Sequence, residues 1–409
     1  MKTGRHPAAD HFSIVDGELA IAGTPLSRLV ARVGRTPFYA YDRNLLTRRV
    51  DELRAMLPTT VQIHYAIKAN PMPALVGHLA RQIDGFDVAS AAELRVALDT
   101  GISPHDVSFA GPGKTDSELA QAVASGVLLN VESIREIRAV AEAVQRTGCE
   151  GRIAVRINPD FELKSLGLKM GGGPRQFGID AEAVPAALAE IAKLGLLFEG
   201  FHIFSGSQNL SAEAICDAQS QSLAMAVRLA NYAPAPVAFL NLGGGLGIPY
   251  FPNDKPVDLS LIGSHLHKVA EDAAHSLPQA QLVIELGRYL VGEAGVYVCK
   301  ILDRKVSRGE VFLVADGGLH HHLAATGNFG QWIRKNYPMC VGNRMNEMET
   351  EVVSVVGPLC TPLDLIGDRV ELACATAGDF LVVFQSGAYG FTASPHLFLS
   401  HPEPIEVLI

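Results

Sequence analysis

Lys68 closes the run Val61-Gln62-Ile63-His64-Tyr65-Ala66-Ile67, whose first half alternates apolar and polar residues as a strand does. Ala69, Asn70 and Pro71 follow and suit a hand-over to a loop. A lysine closing a buried strand is expected to lose solvation, which lowers its pKa and favours a neutral amine able to form a Schiff base. The plainer alternative is a lysine that snorkels to a surface loop. Leu242-Gly243-Gly244-Gly245-Leu246-Gly247 also follows a strand-like run, and glycines there let backbone N–H groups approach an anion such as phosphate. Its spacing is not that of a dinucleotide fingerprint. Glu285, in Ile284-Glu285-Leu286-Gly287-Arg288, is placed either to pair with an arginine or to hold a ligand cation such as a protonated pyridine nitrogen. Asp87 and Arg156 end two further strands, where a structural ion pair competes with a direct role. Ser207, in Phe204-Ser205-Gly206-Ser207-Gln208, offers a hydroxyl to an anion site, and Tyr389, in Gly387-Ala388-Tyr389-Gly390, is either a packed ring or a phenol reaching phosphate.

Cys360 lies in Gly357-Pro358-Leu359-Cys360-Thr361-Pro362-Leu363-Asp364. For it, as for Cys149, Cys216, Cys299, Cys340 and Cys374, a small buried hydrophobe is the simplest role. His320-His321-His322 invites a metal reading, but consecutive side chains diverge and cannot all ligate one ion. No metal is expected, and a loop that touches substrate or a partner is the better reading of the triplet.

The elements that would position these residues alternate in a regular way. Strand-like runs at Val61–Lys68, Gly85–Ser90, Asp106–Ala110, Leu128–Val131, Arg152–Ile157, Leu197–Phe204, Val237–Leu242 and Leu282–Leu286 alternate with helical periods. Those periods fall at Ala91–Thr100, Asp116–Ser125, Ser133–Arg146, Ala181–Leu194, Ala212–Tyr232 and Leu259–Leu277. Eight strands interleaved with helices over about 230 residues is the arithmetic of an α/β fold, the (β/α)8 TIM-like barrel. A doubly wound open sheet competes. The barrel is favoured because Lys68, Asp87, Arg156, His202, Gly243–Gly245 and Glu285 fall at the ends of different strands, as barrel sites do. After Gly292 short β-rich runs replace the alternation and predict a C-terminal β-sandwich or Greek-key β domain. The expected division is therefore an N-terminal segment 1–36 packing on the β domain, a barrel over 37–290 beginning with a strand at Pro37–Asp42, and a β domain over 291–409.

Composition narrows the class. The chain has 409 residues, too many for one ordinary core, and is 48% hydrophobic and 19% charged, as a packed globular enzyme is. Its net charge of −9, from 34 basic and 43 acidic residues without a basic tract, argues against nucleic acid. No stretch is apolar enough for a signal peptide or a bilayer span, and the six cysteines show no C-x-x-C spacing. A cytoplasmic protein without disulfides is expected.

Taken together, YAIKAN, FDVASAAEL, GSQ, LGGGLG, ELGR, GPLC and GAYG resemble the alanine-racemase-fold (type III) pyridoxal-phosphate decarboxylases that act on diaminopimelate, ornithine and arginine. The resemblance runs from Pro37 to the C-terminus. KMGGGPRQFGID, DGGLHHH, NYPM, GPLCTPLD and HPEPIEVLI resemble most the butirosin-biosynthesis branch, whose substrate is a glutamyl group held as a thioester on an acyl carrier protein. The resemblance implies that Lys68 carries pyridoxal 5'-phosphate and that Glu285 pairs with its ring nitrogen. Ser207, Gly243, Gly244, Gly245, Gly287, Arg288 and Tyr389 would hold the phosphate, with Asp87 and Arg156 supporting the Lys68 end. It further implies a homodimer with shared sites, in which Cys360 of the partner subunit manages the proton delivered after CO2 leaves. Arg288, Arg334, Tyr337, Thr361 and Asp364 are the positions expected to meet substrate.

Two departures matter. Where most of the group stack a histidine on the cofactor ring, this chain has Phe204; stacking survives, and His202, two residues earlier on the same strand face, is the candidate to replace any proton transfer. Directly after the cysteine the group carries an acidic residue that grips the far ammonium of the substrate; here Thr361 and Pro362 follow. The expected substrate is therefore an amino acid modified at its far end or tethered to a carrier protein, with Asp364 as the remaining cation partner. The rivals are a diaminopimelate decarboxylase, a racemase on the same barrel and a catalytically inactive regulatory homologue.

Overall fold

The computed structural model describes residues 7–162, 168–251, 253–329, 331 and 334–409. The first residues of the expected N-terminal segment, 1–6, lie outside them.

The chain divides into two compact units, one of residues 49–248 and 255–289, the other of residues 1–48, 249–254 and 290–409. In the first unit all eight expected strands form: β1 (Val61–Ala66), β2 (Gly85–Val88), β3 (Val107–Phe109), β4 (Leu128–Val131), β5 (Arg152–Asn158), β6 (Leu197–Ile203), β7 (Phe239–Gly244) and β8 (Gln281–Leu286). Each pairs in parallel with its neighbours, and β8 pairs with β1, so the sheet closes into a barrel. Nearly every strand residue is buried, as a parallel sheet covered on both faces requires. Five of the helices between are started by side-chain caps. Ser90, Thr115, Ser133, Ser211 and Asp258 each accept from a backbone N–H in the first turn, and Thr115 with Glu118 completes a capping box.

The register of β7 against β8 skips between Asn241 and Gly244. Gly243 and Gly245 have φ of 71° and 75°, so the skip is made by left-handed backbone that favours glycine. The run is thus needed by the chain itself to turn out of the barrel.

The second unit carries a mixed sheet. Its longest strand, Gly295–Ser307, pairs antiparallel with Phe38–Tyr41, Glu310–Ala315 and Phe380–Val383. Glu310–Ala315 runs parallel to Thr350–Val356, which pairs antiparallel with Leu365–Ala373, and Ile405–Leu408 runs parallel to Phe38–Tyr41. Phe38–Tyr41 therefore does not open the barrel, as its sequence position suggested. All four of its residues are buried, and both of its edges are paired within this sheet. Ala8, Ala9, Phe12, Leu19, Ile21, Leu26 and Leu29 share a core with Phe38, Ala40, Val296, Val298, Val382 and Phe384. None of the six cysteines is in a disulfide, and among the described residues no helix is long and apolar enough to cross a membrane.

Candidate active site

The C-terminal ends of the barrel strands bring together Lys68, Asp87, Arg156, His202, Phe204 and Glu285. Lys68 lies one residue into a single 3-10 turn, Ile67–Ala69, that follows β1. Its Nζ is 3.2 Å from Glu285 Oε1 and 5.6 Å from the centre of the Phe204 ring. The lysine side chain is 44% exposed, so burial does not supply the desolvation expected from its strand-end position. Gly287 adjoins this turn: a Cβ there would meet Ala69 Cβ at 3.0 Å, so the glycine lets the Lys68 turn approach the end of β8.

Glu285 is 4% exposed and its second oxygen, Oε2, is 3.1 Å from His202 Nε2. Burial works against its charged form, but the Lys68 ammonium, the His202 hydrogen bond and the Arg156 guanidinium outweigh it and hold the carboxyl well below the usual carboxylate range. Burial pushes the His202 pKa down against the pull of Glu285, leaving the ring neutral. His202 was the candidate to replace the proton-transferring histidine missing at position 204. Instead its Nε2 is committed to Glu285, and it is 1% exposed.

Asp87 accepts from Ser108 Oγ, and its Oδ2 lies 3.8 Å from His64 Nδ1. Burial, reinforced by the negative charge of Glu285, raises its pKa well above the ordinary value. Burial likewise lowers that of His64 to about 4. Arg156 pairs with Glu132: Nη1 is 2.8 Å from Oε1, both side chains are nearly buried, and the guanidinium lies 5.0 Å from the Phe177 ring. Glu132 also accepts from Gly111 N at 2.7 Å and Gly178 N at 2.9 Å. Beside it Lys114 Nζ and Glu136 Oε2 are 3.1 Å apart with both side chains 1% exposed. Sequence reasoning missed His64, Ser108, Lys114, Glu132 and Glu136. Glu132 directly follows β4, the same signal that singled out Lys68 and Arg156, and could have been found by it.

Ser207 and the glycine run are drawn together after β6 and β7. Gln208 Nε2 donates to Ile248 O at 2.7 Å, Asn209 N to Gly245 O at 2.9 Å and Gly247 N to Asn209 O at 2.9 Å. A Cβ on Gly245 would lie 2.3 Å from Gly206 O, and one on Gly244 2.0 Å from Glu285 O. Only glycine fits this double loop.

Cys360, Thr361, Asp364, Arg334, Tyr337 and Tyr389 belong to the other unit. Cys360 is exposed, and Thr361 Oγ1 accepts from Leu363 N. Tyr389 has φ of 53°, and Tyr337 is buried with its ring 4.9 Å from that of Tyr250. Arg334 donates from Nη2 to Leu365 O. Asp364 is not an available cation partner. It is 2% exposed, Oδ1 accepts from Leu319 N at 2.5 Å and Oδ2 from Leu359 N at 2.8 Å, so it clamps two loops together. The histidine triplet lies in a turn, as expected, but its side chains are buried. His321 Nε2 bonds Pro402 O, His322 Nε2 bonds Ser386 Oγ, and the His320 and His321 rings are 3.6 Å apart.

The family description "pyridoxal-dependent decarboxylase, pyridoxal binding domain" matches residues 43–292. The chain belongs to the pyridoxal-dependent decarboxylases. It is 38% identical over 379 residues to the L-glutamyl-[BtrI acyl-carrier protein] decarboxylase of Niallia circulans, covering 91% of this chain and 88% of that one. It is 32% identical over 397 residues to the diaminopimelate decarboxylase of Aquifex aeolicus, covering 96% and 91%. Among solved structures it matches diaminopimelate decarboxylase from M. jannaschii in complex with L-lysine, with a TM-score of 0.86, 25% identity and coverage of 98% and 93%. This decarboxylase is therefore an enzyme that uses pyridoxal phosphate on amino-acid substrates. Its own residues fit that cofactor. A buried, ionised Glu285 suits a protonated ring nitrogen, Phe204 offers a ring face beside Lys68, and the glycine double loop leaves no side chain in the way of an anion.

Proposed function

We propose that this decarboxylase removes the α-carboxylate of an aminoacyl substrate whose far end is modified or held on an acyl carrier protein, in a specialised biosynthetic route. We further propose that it works as a cytoplasmic homodimer with shared sites. The observation that carries the substrate reading is the engagement of Asp364. Diaminopimelate presents a second, distal ammonium. After Cys360 come Thr361, Pro362 and Leu363, which bring no charge, and both Asp364 oxygens are already occupied by backbone N–H groups. An ammonium drawn from water without a carboxylate partner is costly, whereas a thioester or amide end needs none. The similarity to a relative named for a carrier-bound glutamyl substrate supports the same reading.

In this reading Lys68 would hold the cofactor and Glu285 would pair with its ring nitrogen. Phe204 would offer its ring face to the cofactor, and Ser207, Gly243, Gly244, Gly245, Gly287, Arg288 and Tyr389 would hold its phosphate. Asp87 and Arg156 stiffen the strand ends behind them. Arg288, Arg334, Tyr337 and Thr361 serve the substrate. Pyridoxal phosphate, when bound, supplies the sink for the electron pair left as CO2 departs. Lys68 would hold the cofactor until the substrate amine takes its place, and its 44% exposure leaves room for that exchange. Glu285, its carboxylate favoured by the His202 hydrogen bond and the Arg156 guanidinium, would face the ring nitrogen as an anion, and Cys360 of the partner subunit would direct a proton to the α-carbon where the carboxylate stood.

The test is CO2 release by the purified, cofactor-loaded protein. It would be offered free meso-diaminopimelate, ornithine, lysine, arginine and glutamate beside glutamyl thioesterified to a carrier protein. Release from the thioester alone is the expected result. Brisk release from diaminopimelate would instead make the protein a decarboxylase of lysine biosynthesis.

A further inference from the structure

His202 is a buried histidine whose side chain makes one hydrogen bond, to a carboxylate of the site. Nε2 is 3.1 Å from Glu285 Oε2, while no described residue offers Nδ1 a hydrogen-bond partner. A buried polar atom left without a partner needs an explanation. Glu285, being ionised, only accepts, so the tautomer must carry its hydrogen on Nε2. Glu285 from β8, Arg156 from β5 and Glu132 beyond β4 are the charged groups that act on it, and burial keeps the ring itself neutral. The carboxylate is then gripped on one oxygen by a neutral donor, and its other oxygen, Oε1, is the one 3.2 Å from Lys68 Nζ.

We infer that His202 is a positioning residue for the decarboxylation: by donating from Nε2 to Oε2 it fixes the Glu285 carboxylate so that Oε1 is the oxygen presented to the cofactor ring. Strand geometry supports the assignment. His202 is in register with Arg156 on β5 and Asn241 on β7, and its ring packs edge-on against Phe204 with centroids 6.5 Å apart. It therefore cannot swing away from Glu285 without disturbing the ring face beside Lys68. The plain alternative is a core histidine that merely fills space.

The inference rests on the reading of Glu285 as the ring-nitrogen partner, and the experiment separates the two. Full-length, pyridoxal-phosphate-loaded His202→Gln, His202→Phe and Glu285→Gln proteins are compared with the parent. The readouts are the pH titration of the cofactor absorbance and the dissociation constant for pyridoxal phosphate. A glutamine amide reaches where Nε2 reaches and keeps a donor. His202→Gln should therefore titrate like the parent, while His202→Phe should shift the titration and weaken binding about tenfold or more, as loss of a hydrogen bond to a charged group does. A space-filling role predicts the reverse, with Phe tolerated spectroscopically and only stability altered. An unchanged titration in His202→Phe, or equal effects of Gln and Phe, would overturn the inference. An unchanged titration in Glu285→Gln would instead overturn the ring-partner reading. Should His202→Phe fail to fold, His202→Asn, whose shorter amide cannot reach Oε2, takes its place with the same expectations.

Discussion

Replacing Glu132 should loosen the barrel wall far more than any surface charge change. Its carboxylate accepts from Arg156 Nη1 at 2.8 Å, Gly111 N at 2.7 Å and Gly178 N at 2.9 Å, with its side chain 2% exposed. Burial disfavours its charge, yet Arg156 and Lys114 outweigh that and hold its pKa below the ordinary value. Glu132→Gln removes the charge and turns an NH2 toward a ring of donors. Arg156, 7% exposed, is then a buried cation without its counter-ion. Breaking one side of a buried pair costs about 3–5 kcal/mol, and removing both sides with an apolar replacement costs much less. We therefore expect about 3 kcal/mol for Glu132→Gln, and less than the sum of the singles for Glu132→Gln with Arg156→Met. Because the chain has two compact units, global unfolding would blur the effect. Native-state hydrogen exchange of peptides covering Leu128–Val131 and Arg152–Asn158 reads it locally. A loss of 3 kcal/mol corresponds to roughly hundredfold faster exchange in those strands. Acceleration of less than about threefold, or strictly additive singles, would refute the argument that this carboxylate is the charge anchor of Arg156.

Gly245→Ala should weaken pyridoxal-phosphate binding about tenfold or more with the circular dichroism spectrum intact. The new Cβ meets Gly206 O at 2.3 Å, and φ of 75° adds roughly 1–2 kcal/mol of strain; an unchanged dissociation constant would contradict the account of the double loop. Thr361→Glu should raise CO2 release from diaminopimelate by about two- to fivefold, the worth of a half-exposed ion pair, and no gain would count against position 361 as the specificity point. Stability should fall as pH drops from about 6.5 toward 4. Burial lowers His64 and His321 to about 4 and His320 and His322 to about 3, so each is neutral when folded and binds its proton more readily when unfolded. Each such histidine contributes up to about 1.4 kcal/mol per pH unit across that window, while the raised pKa values of Asp87 and Asp364 act in the opposite sense. A melting temperature flat between pH 7 and pH 5 would sink this reading.

The barrel was legible because its strands carry two signals at once, continuous burial and a polar residue at the C-terminal end, as Lys68, Asp87 and Arg156 do. Phe38–Tyr41 carries the burial signal without anything to say which sheet it joins; its partners, Gly295–Val298 and Ile405–Leu408, lie more than 250 residues away in sequence. Side-chain direction was the other thing the sequence withheld. Asp364 reads as a carboxylate four residues past a cysteine, and only its bonds to Leu319 N and Leu359 N show that it is spent on the backbone. His202 reads as a stand-in for a missing histidine until Nε2 is found on Glu285. Lys68 was found from its strand, but its solvent exposure follows from the 3-10 turn after β1, which no alternation pattern records.

The most direct test of the account is reductive trapping. The cofactor-loaded protein would be treated with borohydride, digested and mapped by mass spectrometry for the pyridoxyl adduct. The account predicts the adduct on Lys68, and loss of the cofactor's visible absorbance in Lys68→Ala. An adduct on another lysine, or a Lys68→Ala protein that keeps the absorbance, would contradict it.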